Sequence, residues 1–584
     1  ITSESCSGPF QAATSSAVSA ITSQMALSIG PPGLFAIRAL RESAPRRAEM
    51  RGRSPLIDRD CSPAGSPITS SSSSARSSSG SGRSSVRRIA LLITVAVVLA
   101  SSSVSGIDTV SAAEAQPVRS PLAKRLDRLI KRERPLAGAS VGMLVVRASD
   151  GEVVYARGAD RLLIPASNQK ILTALATLSR FGPTHTFKTR IWSDAPPDAD
   201  GVVETLLVEG GGDPATNSED WWRLAADLRR KGLRGVRGDL RVDDTLFDGP
   251  GWHPSWGKVS SRAYHAPVGA LTANYGSFVV AIGPAKAPGS PANVTVDPPV
   301  DYLRVNNRAT TGKPGARARL SVDRSRGRKS AGAADEVVVV AGTARLGDDI
   351  DMVNKSVIDP GLYAGAVFAY QLEANDVFVD GDVTRDPRGD GESWHLLHEH
   401  KYGRRVDEIV KLFMKYSNNA IGEALLKNLA AWDGAPLEGE PARQGTWPGG
   451  VKALRREMKV LGIDLGDANL VDGSGLSTQN RLSPRTLVRA LEVGRTHFSL
   501  APEFMASMPI AQLDGTLEKR LPGRLGRIRA KTGLLADAAS TALSGYAERD
   551  DGETLVFSIV VNGFTGGAGK AMDAVDRLAG ALLE

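Results

Sequence analysis

Thiol chemistry has almost no foothold in this 584-residue chain, which carries two cysteines, Cys6 and Cys61, both ahead of residue 89. If a secretory signal after that point is removed, the mature chain holds no thiol. Disulfides, cysteine nucleophiles and cysteine-ligated metals are then excluded for it. Long apolar runs are missing as well: the stretch 89–100 stops after 12 residues, too short for a helix to cross a bilayer. A long basic run is also absent. The formal net charge is +8, but much of the excess lies in an arginine-rich leader and in scattered Arg and Lys, so no nucleic-acid partner is indicated. No fixed-period repeat is visible, which leaves an ordinary globular composition, 41% hydrophobic and 23% charged, too long for a single domain.

Residues 1–88 read as a low-complexity, disordered leader, since they lack sustained periodicity and contain the serine tract at 70–74 with six further serines between 77 and 85. Such a segment cannot bury enough apolar surface to offset its ordering entropy. Residues 89–115 read as a signal peptide: Arg83, Arg87 and Arg88 precede the apolar run, and Val110-Ser111-Ala112 and Ala113-Glu114-Ala115 resemble cleavage sites. A buried core helix and an uncleaved anchor are the alternatives. The expected location is outside the cytoplasm, in the periplasm or the extracytoplasmic cell-wall space. A mildly basic exported protein would be drawn peripherally to an anionic wall or membrane surface.

Past the signal, Ser120-Pro121 opens an amphipathic helix with Leu122, Leu126, Leu129 and Ile130 on one face. Residues 139–147 and 153–157 are β-rich and flank Ser149-Asp150-Gly151-Glu152, the pattern of a hairpin. A second helix is expected over about 167–180, ending at Gly182-Pro183. At the other end, 528–532, 541–547 and 555–561 read as strands and 571–583 as a closing helix. These pieces predict one antiparallel sheet covered by helices. Between the halves lie about 200 residues of short strands and Gly/Pro turns, such as Gly210-Gly211-Gly212-Asp213-Pro214, read as one or two inserted, mostly β domains.

Chemistry-bearing residues gather at three places. Ser167-Asn168-Gln169-Lys170 puts a hydroxyl and an amine one helical turn apart, on one face. Ser417-Asn418-Asn419 is a polar triplet between two apolar helical runs, well placed to project into a cleft. Lys531-Thr532-Gly533 lies on a strand, where glycine permits close backbone approach and Lys and Thr can bind a carboxylate. Each alone is ordinary: a capping serine with a solvated lysine, a helix cap, a surface strand. Histidine offers a rival site, with His395, His398, Glu399 and His400 within six residues. It lacks the His-Glu-x-x-His pattern and reads as a solvated or locally hydrogen-bonded segment, so no metal is expected.

Taken in order, Ser-x-x-Lys, Ser-x-Asn and Lys-Thr-Gly resemble the signature of penicillin-recognising serine enzymes. The chain most resembles the large D-alanyl-D-alanine carboxypeptidase/endopeptidases, the class C low-molecular-mass penicillin-binding proteins of peptidase family S13. There, two extra domains separate the first two motifs, as the roughly 250 residues between Ser167 and Ser417 would allow. Further segments resembling this family are Val242-Asp243-Asp244-Thr245-Leu246-Phe247, Ala266-Pro267-Val268-Gly269-Ala270-Leu271, Asp472-Gly473-Ser474-Gly475-Leu476-Ser477 and Asp514-Gly515-Thr516-Leu517.

The resemblance implies an α+β, penicillin-binding/serine β-lactamase-like catalytic domain, an antiparallel sheet with helices on both faces, interrupted by two inserted mostly β domains. The catalytic parts would be 116–183 and 386–584, one inserted domain 184–285 and 351–385, and the other 286–350. It implies a D-Ala-D-Ala carboxypeptidase, with endopeptidase activity open, acting on peptidoglycan stem peptides through an acyl-enzyme and inhibited covalently by β-lactams. Ser167 would attack, neutral Lys170 take its proton, Ser417 relay a proton and Asn419 hold Lys170 and the substrate amide. Lys531 would depress the Lys170 pKa and, with Thr532, bind the terminal carboxylate beside Gly533, while the backbone N–H groups of Ser167 and Leu534 would hold the oxyanion. Asp243 and Phe247 would contribute to stem-peptide recognition, and no cofactor is implied. The family usually has Thr or Ser where this chain has Leu534, and Ser-Pro-Leu where it has Lys401-Tyr402-Gly403. The alternatives are a serine β-lactamase and a catalytically inactive wall-binding scaffold.

Overall fold

A computed structural model describes residues 120–584 except 250, 328–334, 390, 401 and 402. The leader, the signal and both cysteines lie outside the described residues, as do Lys401 and Tyr402 of the segment ahead of the second motif. No helix among the described residues is long and apolar enough to cross a membrane.

The first helix, Pro121–Arg132, starts where the sequence predicts. Ser120 Oγ accepts from the Ala123 N–H at 3.1 Å, Pro121 takes the first turn, and Lys131 and Arg132 sit against the C-terminal end of the helix dipole. Ser140–Arg147 and Val153–Arg157 then pair antiparallel, and the chain turns through Ala166–Gln169 into the helix Lys170–Phe181. Four hundred residues later the same sheet is completed. Ser140–Arg147 pairs with Thr554–Asn562, which pairs with Ser540–Glu548, which pairs with Ile528–Leu535, giving a fully antiparallel five-stranded sheet with Ile528–Leu535 at one edge.

Alternation along Ser140–Arg147 builds two cores. Met143 and Val145 pack under the terminal helices with Leu126, Ile130, Val575 and Leu578. Leu144 and Val146 face the opposite layer, with Ile171, Leu175, Val410, Leu425 and Leu487. That layer comprises Lys170–Phe181, Val406–Tyr416, Asn419–Ala431, Trp447–Val460 and Pro484–Thr496. The expected antiparallel sheet with helices on both faces is what the structure has.

The intervening segment has its own core and is mostly β with two long helices, Ser218–Arg230 and Pro360–Glu373. Its five-stranded mixed sheet runs Val383–Arg385, Leu240–Asp243, Leu206–Glu209, Arg190–Ser193, His395–Glu399. The last strand is hydrogen-bonded into the insertion, so pairing carries that sheet to Glu399, whereas the sequence reading resumes the catalytic domain at 386. Ser277–Gly283 likewise pairs with both Asn293–Asp297 and Asp351–Ser356, across the expected boundaries at 285/286 and 350/351. Such pairings join segments far apart in sequence and leave no local composition signal.

Candidate active site

Three turns from three regions of the chain meet at the edge strand. The first carries Ser167 in a 3₁₀ turn entered through Ala166 at φ +47°, a left-handed conformation that costs an alanine on the order of 1 kcal/mol. No side-chain cap bond forms there, so Ser167 is not a capping serine. The second is Ser417, also left-handed at φ +57°, which terminates Val406–Tyr416 while Asn418 caps the next helix by accepting from the Ile421 N–H at 3.1 Å. Two helices thus break at one polar triplet and expose Ser417 and Asn419 to the same space. The third is the edge strand itself. Asn168 Nδ2 donates to the Lys531 carbonyl at 3.2 Å, and a Cβ on Gly533 would come within 3.0 Å of Asn168 Nδ2 and 3.1 Å of the Pro165 carbonyl. Glycine there lets the strand lie against the serine turn.

Lys170 is fully buried, with Nζ 3.0 Å from Ser167 Oγ, 2.7 Å from Asn419 Oδ1 and 2.7 Å from the Ser474 carbonyl. Burial brings its pKa down to about 7, against the pull of the Glu423 and Asp472 carboxylates. Lys531, also fully buried, donates to Ser417 Oγ at 2.9 Å and to the Thr532 carbonyl at 2.8 Å. Burial and then the neighbouring Lys170 and Arg520 hold its pKa well below the ordinary lysine value. The expected influence of Lys531 on Lys170 therefore runs the other way. Lys170 helps lower the pKa of Lys531, whereas burial, not Lys531, is what lowers that of Lys170.

The edge strand shapes the open side of the site. The Ala530 N–H donates to the Pro509 carbonyl at 3.0 Å, away from the sheet. With a two-residue period the Thr532 and Leu534 N–H groups point to the same free edge, beside the serine turn. Thr532 Oγ1 donates to Thr516 Oγ1 at 2.8 Å, so the segment Asp514-Gly515-Thr516 supplies a second hydroxyl where Leu534 has none.

Ser167, Lys170, Ser417, Asn419 and the strand residues Lys531, Thr532, Gly533 and Leu534 therefore fall in one place. Asn419 differs in detail, since its Nδ2 donates to the Tyr264 carbonyl at 2.9 Å and is engaged before any substrate arrives. Asp243 and Phe247 lie elsewhere: Asp243 Oδ1 accepts from Thr245 N–H and Oγ1, and Phe247 is buried against Lys427 and Gly445. In the structure Asp243 closes a turn and Phe247 serves in packing. The histidine segment is not uniformly solvated, because His400 is buried while His395 is exposed.

Sequence reasoning missed Glu423. Fully buried, it accepts from the Gly473 and Ser474 N–H groups at 3.0 and 2.8 Å and from Trp447 Nε1 at 2.9 Å, fixing the loop whose Ser474 carbonyl receives Lys170. It stands four residues after Asn419 and hence on the same helix face, a signal that was available. Burial and the nearby Asp472 raise its pKa to about 7.

A serine with a buried amine at its oxygen, a second lysine–serine pair and an open strand edge define a penicillin-recognising serine hydrolase site. A model of the D-Ala-D-Ala carboxypeptidase 3 (S13) family matches residues 122–582, and the chain belongs to that family. It is 34% identical over 515 residues to a D-alanyl-D-alanine carboxypeptidase of Actinomadura sp. (strain R39), covering 84% of this chain and 90% of that one. It is 26% identical over 470 residues to carboxypeptidase DacB of Mycolicibacterium smegmatis, covering 76% and 82%. Its fold matches penicillin binding protein 4 (dacB) from Haemophilus influenzae with a TM-score of 0.65 at 22% identity, over 78% of this chain and 98% of that one. The protein is a serine-type D-Ala-D-Ala carboxypeptidase, a hydrolase of the class C penicillin-binding group.

Proposed function

We propose that Ser167 is the nucleophile, that Lys170 in its neutral form is the base, and that the protein acts outside the cytoplasm on peptidoglycan stem peptides. One observation carries the assignment. A neutral amine has two hydrogens and one lone pair, and the Asn419 and Ser474 oxygens, both at 2.7 Å, take the two hydrogens. The lone pair is left facing Ser167 Oγ.

Ser167 Oγ adds to the carbonyl carbon of the penultimate D-alanine as its proton passes to Lys170. The oxyanion sits between the Ser167 and Leu534 N–H groups, each such donor worth about 3 kcal/mol to the transition state. Ser417 Oγ gives its proton to the departing amine and regains one from Lys531. The bond to the terminal D-alanine breaks, leaving the peptide as an ester on Ser167. The proton gained by Lys170 returns through solvent to Lys531, and water then adds to the ester carbonyl, giving its proton to Lys170, which hands it to Ser167 Oγ as the ester bond breaks. The substrate carboxylate, set against Lys531, Thr532 and Thr516, favours the charged form of Lys531 against the burial that disfavours it. A β-lactam follows the first half of this path and stays as the ester. A structure of Haemophilus influenzae penicillin binding protein 4 is complexed with a β-lactam, in keeping with this path.

The test combines a fluorescent penicillin with mass spectrometry of purified stem peptides and cross-linked dimers. Stoichiometric labelling and loss of one D-alanine are expected, both abolished in Ser167→Ala. The variant should melt within about 1 kcal/mol of the parent, since Ser167 caps nothing. Labelling retained in Ser167→Ala removes Ser167 from the role, and cleavage of the dimers would add endopeptidase activity.

A further inference from the structure

We propose that Asp227, His398 and His400 form a binding site for one divalent transition cation of the zinc type, in the inserted domain and separate from the serine site. One ligand atom from each residue lies within 4.8 Å of the others. Two of the three come from one strand end: His398 and His400 are two residues apart, so their rings project from the same side of the extended chain. A register shift between Leu396 and His398 re-aims the end of this strand, the usual effect of a bulge. Asp227 comes from the last turn of Ser218–Arg230, and its Oδ2 is 3.6 Å from His398 Nε2.

The second observation is His400 itself. Its side chain is 95% buried, at 5% exposure, and neither ring nitrogen has a hydrogen-bond partner. A buried imidazole with both nitrogens unsatisfied costs on the order of 1–3 kcal/mol per group, which a metal bond removes. Two imidazoles and a carboxylate are a borderline-soft set that suits zinc over calcium or magnesium. Around a tetrahedral zinc at about 2.0–2.1 Å, ligand atoms lie about 3.3 Å apart, so the cluster closes by side-chain rotation, with water in the fourth position. Arg230, now ion-paired with Asp227, sits on a side chain 68% exposed and is free to swing into solvent.

The consequence is a clasp. The metal ties the helix Ser218–Arg230 to the chain as it leaves the inserted sheet for Val406–Tyr416, the helix that ends at Ser417. Untagged full-length protein, stripped with a chelator, is titrated with Zn²⁺ by calorimetry and with Co²⁺ by visible absorption. One ion per chain at micromolar affinity or tighter, the intense bands of four-coordinate cobalt and a higher melting temperature with Zn²⁺ are expected. His400→Gln and Asp227→Asn should each weaken binding at least tenfold, while His497→Gln, exposed and remote in sequence, should not. Asp227→Asn keeps the test decisive if His400→Gln does not fold. No saturable binding, or binding unchanged in Asp227→Asn, would overturn the site.

Discussion

At the scale of single residues, the site turns on where protons sit. Lys170 must be neutral to accept a proton from Ser167, and its pKa of about 7 divides the pH range in a definite direction. Below that value the amine is charged and the lone pair is gone; above it the base is available. Acylation by a fluorescent penicillin should therefore rise with pH through a midpoint about 7, and a rate flat across that range would sink Lys170 as the base. Glu423 offers a sharper check, because its anion pulls the Lys170 pKa upward. Glu423→Gln removes that pull, so the acylation midpoint should move to lower pH even as the rate falls. The fall follows because the amide NH₂ would replace one acceptor oxygen and face either the Ser474 N–H or the Gly473 N–H and Trp447 Nε1, at a cost of about 2 kcal/mol in loop stability. A merely structural carboxylate would change the rate without moving the midpoint.

At the scale of elements, glycine contacts set the distance between the serine turn and its neighbours. A Cβ built on Gly475 would overlap the Ala166 carbonyl, and Gly475 itself has φ +79°. Gly475→Ala should lower stability by more than about 2 kcal/mol, read as a drop in melting temperature, and should slow penicillin labelling because the Ala166–Ser167 turn must give way. Much at this scale was legible beforehand. The β-rich residues 139–147 became Ser140–Arg147, and Ser120 capped the first helix as expected. The three motifs were legible because each sits at a chain break that sequence marks well: a strand-to-helix turn, a helix-to-helix triplet and a glycine in a strand. What could not be read was non-local. The left-handed backbone of Ser417, the hydroxyl that Thr516 brings to Thr532 and the burial of Phe247 depend on partners tens to hundreds of residues away. In the histidine segment, likewise, the burial of His400 at the end of a strand that begins with exposed His395 is set by packing that its sequence neighbours do not show.

At the scale of the whole molecule, the insertion is part of the active site and not an appendage to it. The Tyr264 carbonyl engages Asn419, Ser255 Oγ donates to Ser477 Oγ at 2.7 Å, and Trp256 Nε1 donates to Asp472 Oδ2 at 3.0 Å. Asp472 in turn receives the Gly475 and Ser477 N–H groups and Asn480 Nδ2, and so holds together the loop that presents the Ser474 carbonyl to Lys170. Among the described donors to the Asp472 carboxylate, Trp256 Nε1 alone comes from the insertion. Trp256→Phe keeps the ring's bulk and deletes a single hydrogen bond to a charged group, worth about 1.5–3 kcal/mol. If the insertion braces the catalytic loop, penicillin acylation should fall severalfold, although Trp256 lies in a different segment from every motif residue. If the insertion only decorates the catalytic domain, Trp256→Phe should acylate at the parent rate, and single-turnover labelling of the two proteins side by side separates these outcomes.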